Sequence, residues 1–153
     1  MDVFKNMAIP EEHHQLLNTQ HFGMLTTIRR DGMLSTNPVG FVFDGDKIRI
    51  STLKSRLKYT NIQNDSRVAF CVQSFTNPMH YLELRGHASL EADHDRSYFR
   101  TQYMTGSGGQ EPPEDLDPPG SERVIITIHS SMVSAPTLYG GRFHKGPADD
   151  SAQ

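Results

Sequence analysis

Between Ile48 and Asn61 the chain reads IRISTLKSRLKYTN, and this stretch gathers the side chains best suited to holding an anion. Ser51 and Thr52 close a run in which Ile48 and Ile50 alternate with Lys47, Arg49 and Ser51, the period-2 signature of a half-buried strand. From Ser55 the spacing becomes helical, with Ser55 as the capping residue, Leu57 and Ile62 on the inner face and Asn64-Asp65 as the stop. A helix start leaves backbone N–H groups unpaired. With hydroxyls at Ser51, Thr52 and Ser55 and cations at Lys54, Arg56 and Lys58 beside it, the segment forms a receptor for a phosphate or another dianion. The competing reading makes Lys54, Arg56 and Lys58 the solvated face of a surface helix, and charge alone favours it, because exposed basic helix turns are common.

Other reactive side chains carry less. Cys71 is the only cysteine; it falls in the strand pattern Val68–Val72, forms no internal disulfide and reads as a buried, inert thiol in a reducing, cytoplasmic setting. His13, His14 and His21 have no cysteine or acidic partner at ligand spacing, so no metal is expected. GSGG at 106–109 follows no strand and precedes no Gly-Lys-Ser/Thr, which makes it a flexible loop and not a phosphate cradle. No general acid or base stands out, and no catalytic residue is assigned.

The frame around these residues is read from length and pattern. At 153 residues the chain fits one domain, with a core over about 10–135 and an exposed polar tail over 140–153. A net charge of −3 from 15 basic and 18 acidic residues argues against bulk nucleic-acid binding and against a membrane surface. No apolar run reaches signal-peptide or membrane-span length, so no export is expected. Pro10-Glu11-Glu12 starts a short helix with Leu16 and Leu17 on its apolar face, a lid over the strands.

Strands are expected over 22–30, 33–43 and 47–52, with Asp31-Gly32 as a two-residue hairpin and Asp44-Gly45-Asp46 as the next turn. Such a meander begins a barrel or sandwich. Pro38 cannot donate to a ladder and marks an edge, a bulge or a corner. Further strands are expected over 67–74, 79–91 and 121–129, with Leu82, Leu84, Ala88 and Leu90 sharing one face and Gly86 allowing a bend or close approach. A helix over 93–104 begins at an acidic cap. The loop 106–120 holds four of the nine prolines, and 133–139 adds a final short strand.

In element order and in three local motifs the stretch from Phe22 to Ala135 resembles the split β-barrel flavoproteins, the superfamily of the pyridoxamine 5′-phosphate oxidases and of oxidoreductases using the deazaflavin F420. The motifs are the hydroxyl-ended strand running into Ser55-Arg56-Leu57-Lys58, the Asn77 to Gly86 segment, and Arg123-Val124-Ile125-Ile126-Thr127-Ile128. The resemblance implies a mainly β fold, a six-stranded antiparallel split β-barrel with a few short helices, dimeric, with two cofactor sites in grooves between subunits. Carried over by position, Ser51, Thr52, Ser55, Arg56 and Lys58 hold the cofactor phosphate and nearby tail. Ser35, Asn37, Pro38 and Val39 line the ring, and Met79 and Tyr81 approach the same groove from the other subunit.

The pyridoxamine phosphate oxidases resembled here carry an Arg-x-Val-Leu-Leu-Lys strand and a C-terminal Arg-Leu-x-Pro clamp. This chain has Met33-Leu34-Ser35-Thr36-Asn37-Pro38-Val39 in the first place and Gly140-Gly141-Arg142 in the second. Both departures argue against a pyridoxal product. The opening hairpin Leu25 to Gly32 and the Ser51-Thr52 strand end are more similar to the deazaflavin branch. The resemblance thus implies an F420H2-dependent oxidoreductase passing a hydride to a small unsaturated organic molecule. An FMN-dependent flavoprotein and a non-catalytic flavin or haem carrier are the alternatives.

Overall fold

Alternating burial along the strands curls one antiparallel sheet around a single buried cluster. The computed structural model describes Phe4 and residues 6–138. Its strands are β1 (Phe22–Ile28), β2 (Leu34–Gly40), β3 (Val42–Phe43), β4 (Ile48–Leu53), β5 (Arg67–Gln73), β6 (Tyr81–Ala92) and β7 (Arg123–Ser134), and its helices are α1 (His14–Thr19), α2 (Leu57–Asn64) and α3 (Ser97–Ser107). The sheet order is β2-β1-β5-β6-β7-β4-β3, every pair antiparallel. Phe70, Leu82, Leu84 and Ile126 point into the core, essentially without solvent contact. Each such side chain contributes about 1.5–3 kcal/mol relative to exposure. Leu16 and Leu17 of α1 complete the cluster at one end, so the expected lid is part of the core.

The sheet does not close. β4 pairs with β7 along its whole length but with β3 only at Ile48 and Arg49, so the edge of β4 from Ile50 to Leu53 has no further strand. The curl brings β2, the opposite edge, back against this segment, which leaves a seam: a split barrel. Gln102 of α3 sits at the seam, its Oε1 accepting from the Ser51 N–H at 2.8 Å. The Tyr98 hydroxyl donates to the Arg49 carbonyl at 2.6 Å, and burial pushes that phenol's pKa up.

Several expectations from the sequence change in detail. The 33–43 strand is cut at Phe41, whose N–H donates to His21 O and whose ring turns into the core, so this one expected strand becomes two. The first hairpin loop holds three residues, since Arg29 N pairs with Met33 O. The capping residue of α2 is Arg56 in extended conformation, with no side-chain cap bond, and not Ser55. Leu57 opens that helix on the exposed side; a turn later Asn61 and Ile62 face inward, and Asn61 is tolerated there because its Nδ2 donates to Thr27 Oγ1 at 3.0 Å. The acidic start of α3 is present. Asp93 accepts from the N–H groups of Tyr98 and Phe99, and Asp95 from that of Ser97.

Gly86 allows the close approach expected of it. The β6–β7 register shifts between Arg85 and Gly86, and a Cβ on Gly86 would stand 2.9 Å from the carbonyl carbon of His129. This bulge also absorbs the expected break between 129 and 133: Ser131 is the extra residue, its Oγ donating to Arg85 O at 3.1 Å, and β7 runs on to Ser134. No separate strand begins at Val133, and residues 135–138 are not strand. The expected tail at 140–153 lies outside the described residues. Among the described residues no helix is long and apolar enough to cross a membrane.

Candidate functional site

The seam opens into a groove of about 690 Å3, and its walls come from both edges of the sheet. From β2 come Ser35, Asn37, Pro38 and Val39; from β4, Ser51 and Thr52; from the turn after β4 and the start of α2, Arg56 and Lys58. Strand alternation splits the β2 set. Ser35, Asn37 and Val39 lie opposite Thr27, Leu25 and Gly23 on the core side, while Pro38 pairs with Met24 on the outer side. β2 is an edge strand, one of the places expected for Pro38. Pro38 also borders a second hollow of about 610 Å3, walled by Phe22, Met24, Phe75 and Pro78.

Three expected residues stand elsewhere. Ser55 is exposed on the turn and does not line the groove, because the chain enters α2 one residue later than its capping pattern suggests. Met79 lies in the turn before β6, and Tyr81 opens that strand opposite Gln73; neither reaches the groove of its own chain. Conversely, Leu116, Asp117, Pro118 and Arg123 line it and were not expected to. In the sequence the pointers were the unusual length of the 106–120 loop, an acidic residue between its prolines and, for Arg123, its place at the head of the third motif, which carried no groove role. Cys71 is half-buried, and burial, followed by the nearby Glu83, holds its thiol pKa up.

The electrostatics of the groove favour an anion at the α2 end. Half-burial, and then the charge of Arg56, pull the Lys58 ammonium below its ordinary pKa, and no carboxylate is among the groups acting on it. Two crowded cations short of counter-charge regain stability when an anion arrives. On the β2 wall, Asn37 Oδ1 is buried and accepts no hydrogen bond among the described residues. A buried amide oxygen without a donor is costly, and a ligand N–H or O–H removes that cost. Phosphate-accepting cations, an orphaned acceptor and a Pro-Val wall in one groove fit a flat heterocycle carrying a phosphate.

The profile of the pyridoxamine 5′-phosphate oxidase family matches residues 9–133. A solved structure described as an F420 reductase is 32% identical over 82% of this chain and 98% of its own, with a TM-score of 0.72. The general stress protein 26 of Bacillus anthracis is 23% identical over 80% of this chain and 89% of its own, with a TM-score of 0.61. A haem-binding protein from Mycobacterium smegmatis is 13% identical over 88% and 57%, with a TM-score of 0.59. The last two likenesses concern the fold alone. Among curated proteins no sequence matches.

Proposed function

The chain belongs to the pyridoxamine 5′-phosphate oxidase family, and on that premise we propose that it is an F420-dependent oxidoreductase passing a hydride between the deazaflavin and a small unsaturated organic acceptor. The observation that carries this reading is the groove itself, where the Arg56–Lys58 pair and the Asn37-Pro38-Val39 wall face one cavity. The likeness to an F420 reductase, at 32% identity over nearly all of that chain, favours deazaflavin over FMN.

In this reading Arg56 and Lys58 hold the phosphate, and Pro38 and Val39 lay the ring against β2. Asn37 Oδ1 accepts from a polar edge of the ring. The bound cofactor supplies the hydride, so the protein's work is binding, orientation and charge. No side chain of the groove is assigned as acid or base, and the acceptor's proton comes from solvent. The setting is the reducing cytoplasm, in keeping with a lone Cys71.

A homodimer belongs to the same proposal. Phe75 is 85% exposed, Leu34 68%, Phe22 66% and Met24 43%, an apolar patch on the outer face of β1 and β2 and on the turn after β5. A second copy covering that face also brings its Met79 and Tyr81 within reach of the groove, which they do not enter in their own chain.

The test is a titration of purified protein with F420 and with FMN, followed by oxidation of F420H2 in the presence of conjugated C=C acceptors. Tighter F420 binding and acceptor-dependent oxidation are expected. Tighter FMN binding and a yellow preparation would move the chain to the FMN flavoproteins, and binding with no cofactor consumption would make it a carrier.

A further inference from the structure

The loop ahead of β7 forms a wall of the groove, and one nearly buried carboxylate fastens it there. Asp117, with a side chain 5% exposed, accepts from Arg96 Nη2 at 2.6 Å and from Arg123 Nε and Nη2 at 2.8 and 2.6 Å. The Arg123 guanidinium is stacked 3.8 Å over the Phe99 ring, and its side chain is 12% exposed. Planar stacking on one side and a bidentate carboxylate on another fix both its position and its plane. Arg100 pairs with Glu111 and ties the loop at a second, fully exposed point.

Arg123 lies opposite Leu53 in the β4–β7 ladder, so it shares a sheet face with Leu53 and Ser51. Its Nη1 stands 3.4 Å from Ser51 Oγ, a long contact. A guanidinium has five N–H bonds. Two go to Asp117 and one to Ser51, and the others have no partner among the described residues. Asp117, Arg123 and Ser51 line the same groove as Pro38, Val39, Arg56 and Lys58, and Ser51 lies on β4, the strand that leads into the Arg56 turn.

The difference from Lys58 is one of setting. Lys58 is acted on by another cation and by no carboxylate, as suits a dianion. Arg123 is paired with Asp117, whose single charge it shares with Arg96, so its positive charge is only partly offset. What sets it apart from Lys58 is a guanidinium held in place with its remaining donors aimed, which suits hydroxyl oxygens. Ser51 Oγ, beside it, both donates and accepts. We propose that Arg123 and Ser51 bind the hydroxyl-bearing chain joining ring to phosphate in flavin and deazaflavin cofactors, with Asp117 the positioning residue that aims the guanidinium. The inference rests on the cofactor reading above and adds to it the part of the cofactor that the ring wall and the phosphate cations leave unheld.

Three flavin probes separate the parts: FMN, riboflavin, which keeps the hydroxyl chain without the phosphate, and lumichrome, which lacks both. F420 and the deazaflavin fragment ending at the hydroxyl chain serve as the parallel pair. Arg123→Lys keeps the charge but not the fork, and it is expected to weaken FMN and riboflavin by the same factor, roughly tenfold, while leaving lumichrome unchanged. Lys58→Ala is expected to weaken FMN and spare riboflavin. Asp117→Asn should act as Arg123→Lys does, to a smaller extent, whereas Glu111→Gln, which releases only the other tether of the loop, should change no affinity.

Loss of FMN binding with riboflavin unchanged in Arg123→Lys would make Arg123 a phosphate ligand and overturn the inference. So would equal loss for all three probes, no loss at all, or affinities that simply follow the thermal midpoints of the variants. If wild type binds none of the flavin and deazaflavin probes, the cofactor reading itself fails; if wild type binds and Arg123→Lys is silent, only the linker assignment does.

Discussion

Replacing Lys58 with alanine tests the phosphate end of the groove most directly. The ammonium is half-buried at the first turn of α2, and its pKa is already pulled below 10.5 by burial and by Arg56. A charge-assisted hydrogen bond to phosphate is worth about 1.5–3 kcal/mol, so Lys58→Ala should weaken F420 or FMN by roughly ten- to a hundredfold. Stability should change by no more than about 0.5 kcal/mol, since among the described residues no hydrogen bond ends on this side chain.

The pH profile gives a second, independent sign. A bound phosphate favours the charged lysine and raises its pKa, so wild-type affinity is complete below the pKa of the unliganded protein and falls as pH rises through that lowered value. At the other end affinity falls as the phosphate takes up a proton near its second pKa of about 6. Lys58→Ala should lose the alkaline limb and keep the acid one, which Arg56 still supports. Fluorescence quenching of F420, or of FMN, followed from acid through alkaline pH measures both limbs. Lys47→Ala is the control, because Lys47 pairs with Asp46 at 2.9 Å outside the groove. Equal affinities for wild type, Lys58→Ala and Lys47→Ala at every pH would refute the anion site and restore the solvated-face reading of this helix.

Three further outcomes are expected. Gly86→Ala forces a Cβ against the His129 carbonyl group, so denaturant unfolding should show a loss of about 3 kcal/mol; a loss under about 1 kcal/mol would mean the bulge yields easily. Asp117→Ala leaves Arg123 enclosed without its partner and should cost about 2–3 kcal/mol at neutral pH. Because Arg123, ahead of Arg96, holds the Asp117 carboxyl below its ordinary 3.8, that contribution is complete above this value and disappears as pH falls through the lower folded value, so urea midpoints of wild type and variant should converge only in strong acid. Light scattering should give a dimer at micromolar concentration, and Leu34→Asp on the outer face should give a monomer with weakened cofactor binding; a wild-type monomer that binds cofactor fully would remove the shared site.

What could be read from the sequence was whatever repeats along it. The alternation in 82–90 placed Leu82, Leu84 and Ala88 in the core, and the apolar pair Leu16-Leu17 anchored α1. Features set by partners distant in the chain were not readable. Phe41 leaves its strand because His21 O is there to receive its N–H, and Leu57 yields the inward face to Asn61 because Thr27 waits across the barrel. The same holds in the groove. Local spacing named Arg56 and Lys58, whereas Asp117 and Arg123 enter it through an ion pair joining a proline-rich loop to the last strand. Ser55 misled because a hydroxyl at a plausible capping position signals a helix start only to within a residue.

Gln102 occupies the Ser51 N–H that a closing strand would otherwise claim, and Gly40 of β2 lies close enough that a Cβ there would stand 3.1 Å from its Nε2. One glutamine thus acts as a wedge between two edges able to zip together. A fully zipped barrel would satisfy its own backbone and have no use for a ligand. Held ajar, the fold keeps backbone bonding capacity in reserve, and any molecule entering the seam competes with closure of the protein on itself as much as with water. Ligand affinity and barrel closure are then opposed, so substitutions that merely tighten the sheet at this point would weaken the binding of any ligand held in the seam.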